Sequence, residues 1–135
     1  MLLSARILKD CANVNSFEYA DSAQFTKGDV VDVFFQLIDA SLDLSSENFI
    51  PPGRRYMPAV GATVLVTVES IDDAIKIVRP AVQAFVNDGS IWKISFFASD
   101  NIQGTANLRL VLTEGTKVTK GLLKNAFRII SDRNC

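Results

Sequence analysis

Pro58-Ala59-Val60-Gly61-Ala62-Thr63-Val64-Leu65-Val66-Thr67-Val68-Glu69-Ser70 decides the fold class of this chain. From Ala62 the stretch alternates. Ala62, Val64, Val66 and Val68 fall on one side, and Thr63, Leu65, Thr67 and Glu69 on the other. Successive side chains of a strand point to opposite faces, so this pattern predicts a half-buried β-strand with one fully apolar face. Most of its residues are β-branched, which suits a pleated surface better than a helix. Such a face needs a second layer, either another sheet or a helix.

Working outward, the cleanest alternation is Thr105 to Thr113. It puts Ala106, Leu108, Leu110 and Leu112 inward and Thr105, Asn107, Arg109 and Thr113 outward. Ser90 to Ala98 reads as a strand with Trp92, Ile94, Phe96 and Ala98 inward, preceded by a turn at Asn87-Asp88-Gly89. Val30 to Ala40 is a strand apolar on both faces: Val31, Val33, Phe35 and Leu37 on one, Val30, Phe34 and Ile38 on the other. Such a strand is either central in a sandwich or covered by a neighbouring subunit. Shorter strands are expected at Leu2–Leu8, which otherwise serves as a terminal arm, and at Ser16–Ala20. The chain ends in a strand from about Leu122 to Ile130, although Leu122, Leu123, Ala126, Phe127 and Ile130 also fit a helix face.

Ile71 to Val86 reads two ways. Ile71, Ile75, Val78, Val82, Phe85 and Val86 match a helical stripe, but Pro80 interrupts it and would remove a hydrogen bond. The preferred reading is a turn at Asp72-Asp73, a strand from Ala74 to Arg79 and a continuation from Ala81 to Val86, with Pro80 at an edge or bulge. Together these elements predict an all-β protein: an antiparallel β-sandwich, jelly-roll-like, in a single domain over residues 1–135. Residues 1–10 and 131–135 are its candidate terminal arms.

One long Pro-rich loop, residues 41–58, interrupts the strands and holds three of the four prolines. A loop of that length in a compact domain is usually functional or an interaction arm. It carries large side chains, Phe49, Ile50, Tyr56 and Met57, beside the basic pair Arg54-Arg55. The favoured reading folds them over the end of the sandwich as a plug. The functional reading makes Phe49, Ile50, Arg54, Arg55, Tyr56 and Met57 an interface to a partner subunit.

Composition narrows the chemistry. The net charge is −1, so there is no positive field to draw nucleic acid. The chain has no histidine, which removes the commonest general base and transition-metal ligand. Its two cysteines, Cys11 and Cys135, either pair near the termini or, in the plainer reading, stay as free thiols in a reducing compartment. Met1 to Leu8 is too short an apolar run for a signal-peptide core or a membrane span, so the expectation is a protein made in the cytoplasm with no membrane partner. No phosphate-binding glycine loop, metal-ligand Cys/His spacing or Gly-x-Ser-x-Gly elbow is present. Asp72-Asp73 fits a turn far better than a catalytic dyad. Asp29, Asp32 and Asp39 lack the loop spacing of a calcium site. Trp92 and Tyr56 are the residues that could stack on a sugar, with Trp92 expected in the core. No catalytic, cofactor-binding or metal-binding residue is assigned, and no cofactor is expected.

Two stretches carry a resemblance. Gly28-Asp29-Val30-Val31-Asp32-Val33-Phe34-Phe35-Gln36-Leu37-Ile38-Asp39-Ala40 is followed, after the loop, by Gly61-Ala62-Thr63-Val64-Leu65-Val66-Thr67-Val68. This resembles β-sandwich modules of tailed-bacteriophage virions, notably baseplate and tail-appendage proteins. Asp88-Gly89-Ser90-Ile91-Trp92 and Gly104 to Gly115 are similar to small structural proteins of such phages. The resemblance spans roughly residues 26–121, rests on strand and turn motifs, and implies no catalytic residues. It implies a non-enzymatic tail, baseplate or neck subunit, made in the host cytoplasm and located in the virion. Its partners would be other virion proteins and further copies of itself. The alternatives are a capsid decoration (cement) protein and a carbohydrate- or receptor-binding sandwich.

Overall fold

The computed structural model describes residues 2–10, 18–20, 22–39, 54–71, 76–85 and 88–130. Among them the chain is all-β, with no helix and eleven strands in one sheet. These are β1 (Leu3–Asp10), β2 (Glu18–Ala20), β3 (Ala23–Thr26), β4 (Val31–Asp39), β5 (Arg54–Arg55), β6 (Thr63–Ser70), β7 (Lys76–Pro80), β8 (Val82–Phe85), β9 (Asp88–Phe96), β10 (Gly104–Glu114) and β11 (Lys117–Ile130). The main path runs β7-β6-β10-β11-β1-β4-β9-β8. Off it, β2 pairs with β1, β3 with β11 and β5 with β4.

The two ends of that path are neighbours in the chain. Only Ala81 separates β7 from β8. β7 pairs with β6, Leu65 against Pro80, whereas β8 pairs with β9, Val82 against Lys93. The Ala81 amide still donates to the Val64 carbonyl at 2.8 Å. One bent segment therefore changes partner at Pro80-Ala81, where proline has no amide to continue a ladder. The result is a nearly closed, barrel-like sheet. A division into the two sheets of a sandwich or jelly roll is not evident, because this corner joins edges that a sandwich leaves apart. Nor is the sheet purely antiparallel. β1 runs parallel to β11, with Leu3 opposite Gly121, and β3 runs parallel to the end of β11.

The inward faces form one core. Val64, Val66 and Val68 meet Leu108, Leu110 and Leu112 across the β6–β10 ladder, as their alternation requires. Phe96 packs between Phe25 and Phe127, with ring centroids 4.7 and 5.4 Å away, so β3, β9 and β11 share an aromatic contact. The β10–β11 ladder slips between Ala106 and Leu108. Asn125 takes up the slip at a φ of 57°, and its amide donates to Asn107 Oδ1 at 2.9 Å.

Several expectations are corrected. β9 begins at Asp88, which pairs with Phe85, so Asp88 and Gly89 belong to the strand and not to a turn. β9 stops at Phe96, and Ala98, expected inward, is exposed in the next turn. β11 is fourteen residues long and starts at Lys117, because the hairpin with β10 carries pairing well before Leu122. β3 was not expected at all. Residues 54–58 are not wholly irregular, since β5 pairs with Ile38 and Asp39 of β4. Val30 lies outside β4 and is exposed. Val33, Phe35 and Leu37 of β4 lie in the core; on its other face Gln36 and Ile38 are buried, Phe34 is half-buried and Asp32 is exposed. The chain itself buries that second face at Gln36 and Ile38.

Candidate assembly interface

Of the residues singled out for a partner interface, Phe49 and Ile50 lie outside the described residues. The others follow one another along the rim of the barrel. Arg54 and Arg55 form β5 against β4. Tyr56 is tied inward: its amide donates to the Leu37 carbonyl at 2.9 Å, and its hydroxyl lies 2.9 Å from both carboxylate oxygens of Glu114, to which it donates. Glu114 also accepts the Ala59 amide at 2.9 Å. One carboxylate at the end of β10 thus holds the chain that enters β6. Burial, the hydrogen bond to Glu114 and the charges of Glu114 and Asp39 push the Tyr56 phenol above its usual range. Met57 is exposed.

Met57 stands at the mouth of a cleft of about 500 Å³, lined also by Val60, Gln83, Ala84 and Trp92. Trp92 shows little of itself there. It is 5% exposed, and its indole N–H donates to the Gly89 carbonyl at 2.8 Å. The sequence places Trp92 in the core, and it is part of the core cluster.

The acidic residues considered for metal binding are apart. Asp29 accepts the Thr26 amide, Asp39 the Leu2 amide, and Asp32 the Ser95 hydroxyl. Among the described residues no group of three or more acidic or cysteine side chains could hold a metal ion. Asp72, Asp73, Cys11 and Cys135 lie outside the described residues.

The outside of the barrel is uneven. At one end of β4 and β9 the outward residues are covered, Ile38 1% and Ile91 0% exposed, whereas at the other end the side chains of Asp32 and Lys93 are 46% and 35% exposed. Over β7, β6, β10 and β11 exposed apolar and polar residues mix. Pro80, Leu65, Val111 and Lys120 stand side by side across these strands, as the register requires. Val78 sits beside Thr67 in the row on one side, and Val118 beside Thr113 in the row on the other. Leu65 is 42% exposed, and Val78 and Val118 are each 57% exposed. At one end of the face Glu69 lies 3.3 Å from Arg109 and 3.7 Å from Lys76. Thr63, Thr67, Thr113, Arg109 and Lys120 stand among these residues, so the surface mixes exposed apolar side chains with polar and charged ones. Sequence reasoning missed this surface. The alternation of β6 marks Leu65 as outward, but nothing in it says that Pro80 and Val111 flank it.

The seam between β7 and β9 was also missed. Arg79 crosses it. Its Nη1 donates to the Ser95 carbonyl at 2.7 Å, and the guanidinium clamps Asp100 through two bonds of 2.8 Å. Phe97 lies under the guanidinium, 5.0 Å from Cζ to the ring centroid, and donates its amide to Asp100 at 2.8 Å. Ile102, from the same loop, is buried in the core. The loop after β9 therefore closes the seam with an apolar plug and a charged latch. The hydrogen bond from Arg79 outweighs burial and holds the Asp100 carboxyl below its usual range, helped by the Phe97 amide and the Arg79 charge.

The chain matches no family model, and a search of curated proteins returns no match. Among the described residues no helix is long and apolar enough to cross a membrane.

Proposed function

We propose that this chain is a non-enzymatic structural subunit of a tailed-bacteriophage virion, a tail, baseplate or neck component that works through assembly contacts. The observation that carries the reading is the group of exposed apolar side chains on the outside of the sheet, Leu65, Val78 and Val118, over β6, β7 and β11. A barrel that exposes such side chains supplies geometry and contact area, and assembly asks for nothing more. The resemblance of residues 26–121 to virion modules supports the same reading. In its finer form the barrel is flattened into a sandwich with jelly-roll-like connections. The chain is made in the host cytoplasm and ends in the particle, among other virion proteins and further copies of itself, without a nucleic-acid or membrane partner. A capsid decoration protein uses the same kind of face and differs only in where it sits.

The test is sedimentation of a lysate from productively infected cells, with the chain followed by antibody. The chain is expected to travel with completed particles. Recovery only in the soluble fraction, at the mass of the free chain, contradicts the reading.

A second reading, a carbohydrate- or receptor-binding module, draws on the cleft beside Met57 and Trp92. Because Trp92 is the chain's one tryptophan, its fluorescence reports directly on that cleft. A saturable emission shift on adding glycans favours this reading.

A further inference from the structure

We propose that residues 57–62 form a strap that gates the Trp92 cleft, with Glu114 as its latch. This goes beyond the assembly reading above and does not depend on it.

The strap runs between two fixed points. Before it, the Tyr56 amide is bonded to the Leu37 carbonyl of β4. After it, Thr63 enters the β6–β10 ladder opposite Thr113. Between these points the segment has little hold on the barrel. Met57, Ala59, Val60 and Gly61 are exposed. The Ala62 amide donates to the Ala59 carbonyl at 3.1 Å, which closes a turn inside the segment itself, with Gly61 in its third position at φ +83°. Glu114 supplies the hold. Its carboxylate accepts the Ala59 amide in the middle of the strap and the Tyr56 hydroxyl at its start, each at 2.9 Å. Among the described residues, no other hydrogen bond ties residues 57–61 to the rest of the chain.

The strap is also a wall. It lines the cleft of about 500 Å³ together with Gln83, Ala84, Gly89 and Trp92 of β8 and β9. A Cβ built on Gly89 would lie 3.8 Å from Met57 Cε, so the Met57 side chain reaches from the strap to β9. Gly89 is the residue whose carbonyl takes the Trp92 indole N–H. Met57 therefore lies beside the bond that fixes a 5% exposed tryptophan. Freed from Glu114, the strap swings between Tyr56 and Gly61 and carries Met57 off Gly89, which opens the indole to solvent. A segment held by so few contacts opens at less cost than the barrel unfolds.

Hydrogen exchange of the full chain, followed by NMR, tests this, because Trp92 is the only tryptophan and gives a single indole N–H signal. In the parent that proton should exchange without dependence on urea below the unfolding transition, since strap opening exposes little surface. The amides of Val66 and Leu110, in the core ladder, should exchange more slowly and gain with urea. Glu114→Ala should speed the indole exchange by about tenfold, because two bonds to one carboxylate are lost, and should leave it independent of urea. Glu114→Gln keeps a side-chain acceptor, so it should give a smaller acceleration, and it serves if Glu114→Ala fails to fold. An indole rate that rises with urea in step with Val66 and Leu110 would mean that the cleft opens only with the whole barrel, which overturns the gate. An indole rate unchanged in the Glu114 variants would overturn the latch.

Discussion

Arg79 and Asp100 lock the barrel where its hydrogen-bonded ladder stops. The guanidinium, on β7, reaches past the seam to a carboxylate on the loop after β9, with both nitrogens at 2.8 Å. The side chains are 22% and 11% exposed, so water screens the pair only in part. Arg79→Met should therefore lower the unfolding free energy by about 2 kcal/mol, mostly because Asp100 and the Ser95 carbonyl lose a charged donor. Urea denaturation measures it. A change within error would mean that the loop closes the seam through Ile102 alone.

The same latch makes stability depend on pH. The Asp100 pKa is lowered by folding, so its contribution is fully present above the unfolded value near about 3.9 and is lost as pH falls towards the folded value. The urea midpoint should drop more steeply between about pH 4 and pH 2 in the parent than in Asp100→Asn. Parallel curves for the two proteins would show that Asp100 contributes no part of that slope.

Tyr56 gives the opposite sign. Its pKa is raised, so its contribution is complete below the unfolded value near about 10 and is lost as pH rises through the folded one. Tyr56→Phe should cost about 1 kcal/mol at neutral pH through the lost bond to Glu114. It should also flatten the alkaline fall in thermal midpoint that the parent shows.

Gly121 faces Leu3 with no room between them. A Cβ built on Gly121 would lie 2.5 Å from the Leu3 carbonyl oxygen, a backbone atom that cannot swing away. Gly121→Ala should separate β1 from β11 and cost about 3 kcal/mol, at the upper end for overpacking. Gly61 is the control. It has φ +83° and nothing within 4 Å of a built Cβ, so Gly61→Ala should cost only about 1 kcal/mol of backbone strain. Thermal melts of the two variants compare them.

How much was legible follows from what each strand faces. β6 and β10 each have one face in the core and one bare face, so their residues alternate and their extents are read almost to the residue. β4 is covered on its core face and, from Gln36 to Ile38, on the other as well. Its composition shows this, but not that the cover comes from within the same chain. β7 and β8 imitate a helical stripe, and only Pro80 indicates the corner at which the segment changes partner. β3 leaves no mark, because its four residues gain their order from parallel pairing with β11, about a hundred positions away in the chain. The interface candidates around Tyr56 and Met57 are adjacent in sequence and stay adjacent on the rim. The broader face that includes Leu65, Val78 and Val111 is assembled from distant strands, and no local pattern joins them. The Arg79–Asp100 latch is likewise two ordinary charges in sequence, brought together only by closure of the sheet.

The most direct measurement is the copy number of this chain in purified virions, by quantitative mass spectrometry against an abundant virion protein. The account predicts a fixed ratio that repeats between preparations and survives repeated washing. A chain absent from the particles, or present in amounts that vary and wash away, would contradict it.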